Sequence, residues 1–220
     1  MNAPPDDDTG LHGPPAPLAG GPGAFLRFAR ERGLLHLRYL PLYLRLAFWK
    51  LRLGDRLQLD GLAFIGRGTR IQVGKQATLS LGRWCWIGGG SKIRVHEGRC
   101  EIGAKTVMGE ECTISAYREV VIGRECLIAD RVMLIDFDHG TSEVERTIRA
   151  QGIYTRPVRV GHNCWLGYGA CLLRGADVGD NSVIGANSVV TRGIPANVIA
   201  AGQPARVVRR REVPSALRYD

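Results

Sequence analysis

The residues best suited to chemistry lie close together in "LIDFDHG", Leu134 to Gly140. Asp136, Asp138 and His139 interrupt a run that is otherwise aliphatic. A histidine can take and return a proton near neutral pH, and a nearby carboxylate can orient it or hold a hydroxyl. The same residue types also make polar turns, and the stretch alone leaves both readings open. His162, His96 and His36 have no evident chemical partner in the sequence. The six cysteines include no CxxC pair and no Cys/His spacing of the metal-binding kind. Neither a zinc site nor a disulfide framework is expected, and a reducing cytoplasm is the simplest setting.

What positions these residues is a repeat. From Val160 the chain reads in hexads led by Val160, Leu166, Leu172, Val178, Ile184 and Val190. The third residue after each lead is Asn163, Gly169, Gly175, Asn181 or Asn187, types that tolerate positive φ, so this column reads as tight turns. The fourth is small: Cys164, Ala170, Ala176, Ser182, Ser188. The same register runs upstream in triplets: Ile122, Ile128 and Leu134; Ile102, Met108 and Ile114; Leu81, Ile87 and Ile93. Between triplets the step lengthens. Three hexads then make one triangular coil, with extra residues at one corner. Cys85, Cys112 and Cys126 join Cys164 in the small column and read as buried packing residues. A helix does not keep a six-residue spacing on one face, and so many glycines oppose it. The period fits a parallel β-helix with one interior aliphatic ladder.

The predicted layout is a tail over 1–23, a basic amphipathic helical segment over 24–57, a β-helix over 58–194 and a C-terminal tail over 195–220. Residues 58–80 form a less regular first coil. The first tail is rich in Pro, Gly and Asp and is expected to be disordered. The net charge of +9 sits mostly toward the two ends of the chain, which argues against a nucleic-acid groove on the central domain. No apolar run is long enough to span a membrane, and the start of the chain lacks the pattern of a secretory signal. In the helical segment Arg38, Arg45 and Arg52 recur every seven residues, with Pro41 expected to interrupt the helix. This segment either caps the β-helix or lies on an anionic membrane surface with its arginines at the headgroups.

The hexads and the run "RPVRVGHNCWLGYGACLLRGADVGDNSVIGANSVVTRGIPANVIAAGQPARVV" resemble the hexapeptide-repeat acyltransferases. The resemblance covers roughly residues 60–208. It is similar to galactoside and maltose O-acetyltransferases and, through "TISAYREVVIG", to bacterial polysaccharide O-acetyltransferases. It implies a left-handed parallel β-helix, assembled as a homotrimer with sites between subunits. It also implies transfer of an acetyl group from acetyl-CoA to a hydroxyl of a cell-envelope saccharide. In that family a catalytic histidine precedes a loop that leaves the coils; His139 holds that place, and the loop would be 140–157. The family's coenzyme A groove carries over to Trp165, Gly167, Ala186, Thr191, Arg192 and Arg206, with a backbone N–H near Gly167 and Tyr168 facing the oxyanion. Asp136 and Asp138 are the acceptor-binding candidates. Phe137 stands where the polysaccharide enzymes often have a second histidine. Alternatives are N-acylation of an amino-sugar or nucleotide-sugar, and a non-catalytic scaffold. A zinc-dependent carbonic anhydrase on the same fold needs a set of histidines that this half of the chain, with only His139 and His162, does not supply.

Overall fold

Each coil turns through three short strands, and every strand stacks in parallel on the same strand of the next coil. In the computed structural model, which describes residues 39–211, sheet A has seven strands from Leu57–Asp60 to Gly193–Ile194. Sheet B begins at Phe64–Ile65 and ends at Val198–Gly202, with one further strand on its edge. Sheet C has six, from Arg70–Val73 to Val189–Val190. The architecture is the left-handed parallel β-helix implied by the resemblance. The chain divides into two units at Pro41–Leu42. Of the first, only residues 39–41 are described; the tail over 1–23 and the start of the basic segment lie outside the described residues.

The lead residues meet lead residues: Ile102 faces Ile122, Ile122 faces Val160, and Leu134 faces Leu172. All are buried and form one interior ladder. Burying each aliphatic side chain is worth about 1.5–3 kcal/mol, so the stack is held mainly by its own period. The fourth-position residues are buried beside it. Their hydroxyls bond to carbonyls of the next coil, as in Thr106 Oγ1 to Gly123 O at 2.7 Å and Ser182 Oγ to Pro195 O at 2.9 Å. Burial pushes the Cys85 and Cys100 thiols up to about 12 and Cys112 up to about 11, so these cysteines are packing groups.

The third-position column turns the A–B and B–C corners in the left-handed region. Asn163, Asn181 and Asn187 have φ of 52°, 57° and 55°. Upstream the column is held by Trp84, Lys105, Glu111, Glu125 and Arg131, also at positive φ. Stacked asparagines link coils at the A–B corner, Asn163 to Asn181 at 2.9 Å and Asn181 to Asn197 at 3.0 Å.

Helix α1, Leu40–Leu53, holds Pro41 as its second residue. Proline fits the first turn, where its missing N–H has no intrahelical partner to lose. Gly54 at φ 59° ends the helix. Leu46 and Leu53 enter the core of the first coils. Lys50 Nζ bonds to Leu57 O at 2.9 Å and Arg56 Nη1 to Val73 O at 2.8 Å. From Leu42 onward the segment therefore packs on the β-helix as a cap. At the other end the solenoid does not stop at 194. Val198–Gly202 joins sheet B beside Val183–Ile184, and Ala205–Arg210 returns antiparallel to it.

Candidate active site

The chain leaves the stack after the sheet C strand Met133–Ile135 and rejoins it at Val158–Val160. The coils close over the excursion, since Val120, Val121 and Ile122 pair directly with Val158, Arg159 and Val160. The expected open loop from 140 is a hairpin beginning earlier. Phe137–His139 pairs antiparallel with Ile153–Thr155, with His139 opposite Ile153. His139 therefore sits on a paired strand at the C–A corner.

Asp136 roots this hairpin. It is fully buried. Its carboxylate accepts N–H bonds from Tyr117, Arg118 and Glu119 at 2.6, 2.7 and 2.6 Å, and its carbonyl accepts one from Arg156 at 2.9 Å. Three charge-assisted bonds tie the hairpin to the turn between two coils. The expectation that Asp136 contacts an acceptor is corrected: no part of its side chain reaches the surface.

Successive strand residues point to opposite faces, and this separates the other two candidates. Asp138 turns to one side and pairs with Arg174 Nε at 2.7 Å. Phe137 and His139 share the other side, their ring centroids 6.5 Å apart. Asp138 therefore does not orient His139. The His139 ring is exposed, and no hydrogen bond holds either of its nitrogens among the described residues. Phe137 continues into a row of rings. It meets Tyr117 edge-on at 5.7 Å and His96 at 5.9 Å, and His96 stacks on Tyr117 at 5.5 Å. Sequence reasoning passed over His96 and Tyr117. The signal was present: His96, Tyr117 and Phe137 each stand three residues after the sheet C leads Ile93, Ile114 and Leu134. His162 has a structural partner instead, its Nδ1 accepting the Arg124 N–H at 3.1 Å.

The remaining candidates fall into two places. Trp165 lies on sheet B with 54% of its surface exposed. Gly167 follows it, and a Cβ there would lie 2.6 Å from the Ala186 nitrogen, so the two corners stack closely. The Gly167 N–H is committed to Ile184 O at 2.8 Å, whereas no such bond occupies the Tyr168 N–H among the described residues. The Tyr168 hydroxyl is held by Arg131 at 2.9 Å. Arg206 is exposed on the returning edge strand of sheet B. Thr191 and Arg192, also exposed, leave sheet C at the C–A corner, two coils beyond the root of the hairpin. One chain thus brings His139, Thr191 and Arg192 to the C–A corner. It carries Trp165, Gly167, Tyr168, Ala186 and Arg206 on sheet B and the B–C corner.

Known proteins share this plan. Residues 157–192 match the family described as the hexapeptide repeat of succinyl-transferase. A probable acetyltransferase of Mycobacterium tuberculosis is 37% identical over 195 residues, covering 86% of this chain and 65% of that protein. The galactoside O-acetyltransferase of Escherichia coli is 45% identical over 109 residues, covering 49% of this chain and 52% of that protein. A solved galactoside acetyltransferase in complex with coenzyme A superimposes with a TM-score of 0.55 at 35% identity, over 60% of this chain and 64% of that one. The chain spans less than two thirds of the length of each of these three proteins. Coil register, turn column and sequence identity together make the chain a member of the hexapeptide-repeat acetyltransferase family, related to the galactoside O-acetyltransferases.

Proposed function

We propose that the protein transfers an acetyl group from acetyl-CoA to a hydroxyl of a cell-envelope saccharide, with His139 as general base. One observation carries this reading: an exposed imidazole with no bond to its nitrogens stands on a hairpin anchored by a buried carboxylate. A base held in this way loses little freedom when an acceptor arrives. The imidazole takes the hydroxyl proton as the oxygen attacks the thioester carbonyl. It returns the proton to the departing thiolate, so no acyl-enzyme forms. The Tyr168 N–H is the donor for the oxyanion, since the Gly167 N–H is already bonded.

Trp165, Gly167 and Ala186 suit the thioester and pantetheine end: an exposed aromatic face beside two residues without bulk. Thr191 borders them, and Arg192 and Arg206 take the phosphates, for which a guanidinium is well shaped. Because these groups lie on two parts of the solenoid, we propose that a homotrimer completes each site. The C–A corner of one subunit then faces sheet B of its neighbour. The likeness to a coenzyme A-bound galactoside acetyltransferase supports the donor, and the likeness to two Escherichia coli proteins named as a putative lipopolysaccharide biosynthesis O-acetyl transferase and a putative colanic acid biosynthesis acetyltransferase supports the acceptor class.

The outer side of α1 carries Leu44, Phe48 and Leu51, exposed by 61%, 53% and 86%. We propose that this stripe rests on the inner face of the cell membrane, with Arg45, Lys50 and Arg52 beside it. The six unpaired cysteines fit a cytoplasmic setting. Flotation with anionic vesicles is expected for the full chain and not for Leu44→Asp/Leu51→Asp; equal flotation would remove the membrane contact.

The activity is tested by thiol release from acetyl-CoA against a panel of saccharides. His139→Ala is expected to lose about 10²–10⁴-fold in kcat while still binding coenzyme A. Undiminished turnover would remove the base assignment. Coenzyme A binding without transfer to any saccharide, in the wild type, would remove the O-acetyltransferase reading.

A further inference from the structure

A pocket of about 530 Å³ opens between the end of α1 and the outer surface of sheet C in its first coils. Over an aliphatic floor, it is lined by Arg52, Arg56, Arg94, Gln72 and His96. No carboxylate lines it, and none of the three arginines makes an ion pair among the described residues. Arg56 is fixed by bonds from Nε to Leu53 O at 3.2 Å and from Nη1 to Val73 O at 2.8 Å, which leaves Nη2 available. Arg52 lies over the Trp49 ring at 6.0 Å. Arg94 has no hydrogen-bond partner among the described residues. Three guanidiniums in one concavity repel each other, and their field concentrates anions there.

One side chain links the pocket to the row of rings that carries the candidate base. His96 lines the pocket and belongs to the row of rings that ends at Phe137 and His139. Gly74 holds the same corner position one coil before His96. A Cβ at Gly74 would lie 2.0 Å from the His96 carbonyl oxygen. The row of rings therefore stops at His96, and the pocket begins there. The C–A corner thus presents one strip, cationic at the capped end and carrying an imidazole base at the hairpin.

We propose that this pocket binds a phosphate-type anion carried by the acceptor, so that the acceptor is a phosphorylated saccharide; this rests on the acyltransferase reading of the site. Arginine favours phosphate because its planar fork can meet two oxygens at once. The anionic group and the reacting hydroxyl then fall on different parts of the acceptor.

Calorimetric titration of the full chain, already saturated with coenzyme A so that its own phosphate site is filled, with inorganic pyrophosphate tests the proposal. In a second arm the chain is titrated with phosphatidylglycerol vesicles. Arg94→Ala and Arg52→Ala are expected to weaken binding at least tenfold while Arg124→Ala, an exposed arginine outside the pocket, does not. Loss in the pyrophosphate arm assigns the site to a soluble phosphate, and loss in the vesicle arm alone by Arg94→Ala, which lies outside the proposed membrane stripe, assigns it to a lipid-borne one. Both variants are surface changes, and unaltered circular dichroism separates lost binding from lost folding. Wild-type-like binding by both variants in both arms, or no binding by the wild type in either, overturns the pocket. Coenzyme A binding measured alongside distinguishes that failure from failure of the acyltransferase reading, which would remove coenzyme A binding as well.

Discussion

The corners of the triangular coil are equivalent by register, yet they carry different residues. At the A–B and B–C corners the third residue after each lead sits at positive φ and turns the chain. At the C–A corner of the early coils the same position carries His96, Tyr117 and Phe137, at ordinary φ. The difference follows from chain length. Two corners are closed by six-residue steps that leave no slack. In the early coils the third has longer steps, so its side chains there need not serve the turn. A rigid repeat therefore leaves room for the hairpin and the row of rings at the one corner where the period is relaxed.

The contrast predicts opposite consequences for mutation at the corners. The largest effect belongs to Asp136, the anchor of the relaxed corner. Asp136→Ala leaves three backbone donors without their acceptor and should cost about 3 kcal/mol or more, read as a lowered Tm; an unchanged Tm would mean the hairpin does not depend on it. Next is Phe137→Ala, which should raise KM for the acceptor about tenfold, a change of about 1.4 kcal/mol. Coenzyme A affinity and Tm should barely move. A matching rise in coenzyme A KM would place the ring row outside the acceptor path. The smallest effect is expected at a turning corner. Asn181→Ala puts a Cβ-bearing residue without a capping amide at φ 57° and removes two ladder bonds. It should cost about 1 kcal/mol in denaturant unfolding and leave the kinetics intact. Altered kinetics at full stability would break the division between corners.

How much of this was legible in the sequence follows the same division. The interior ladder, the asparagine and glycine turns and the buried cysteines all obey a period of six, and a period can be read without coordinates. The hairpin obeys none. Antiparallel pairing of Phe137–His139 with Ile153–Thr155 depends on a closure that leaves no repeating mark. Asp136 and Asp138 are the same residue type two places apart, and only burial tells the anchor from the surface ion pair. Pro41 lies in the first turn of α1, a place that a proline's fixed φ and missing N–H suit. The row of rings was legible and overlooked. Extending the register across coils, rather than along one, aligns His96, Tyr117 and Phe137 in a single column.

The central claim is that each site is shared, with His139 from one subunit and Trp165 with Tyr168 from the next. Subunit complementation tests it most directly. Chains carrying His139→Ala and chains carrying Trp165→Asp are each expected to be inactive alone. Co-expressed, they form mixed trimers in which some boundaries join an intact His139 to an intact Trp165. The account predicts acetyl transfer from the mixture well above the sum of the two inactive preparations. Mixed trimers with no recovered activity would contradict it and return the whole site to a single chain.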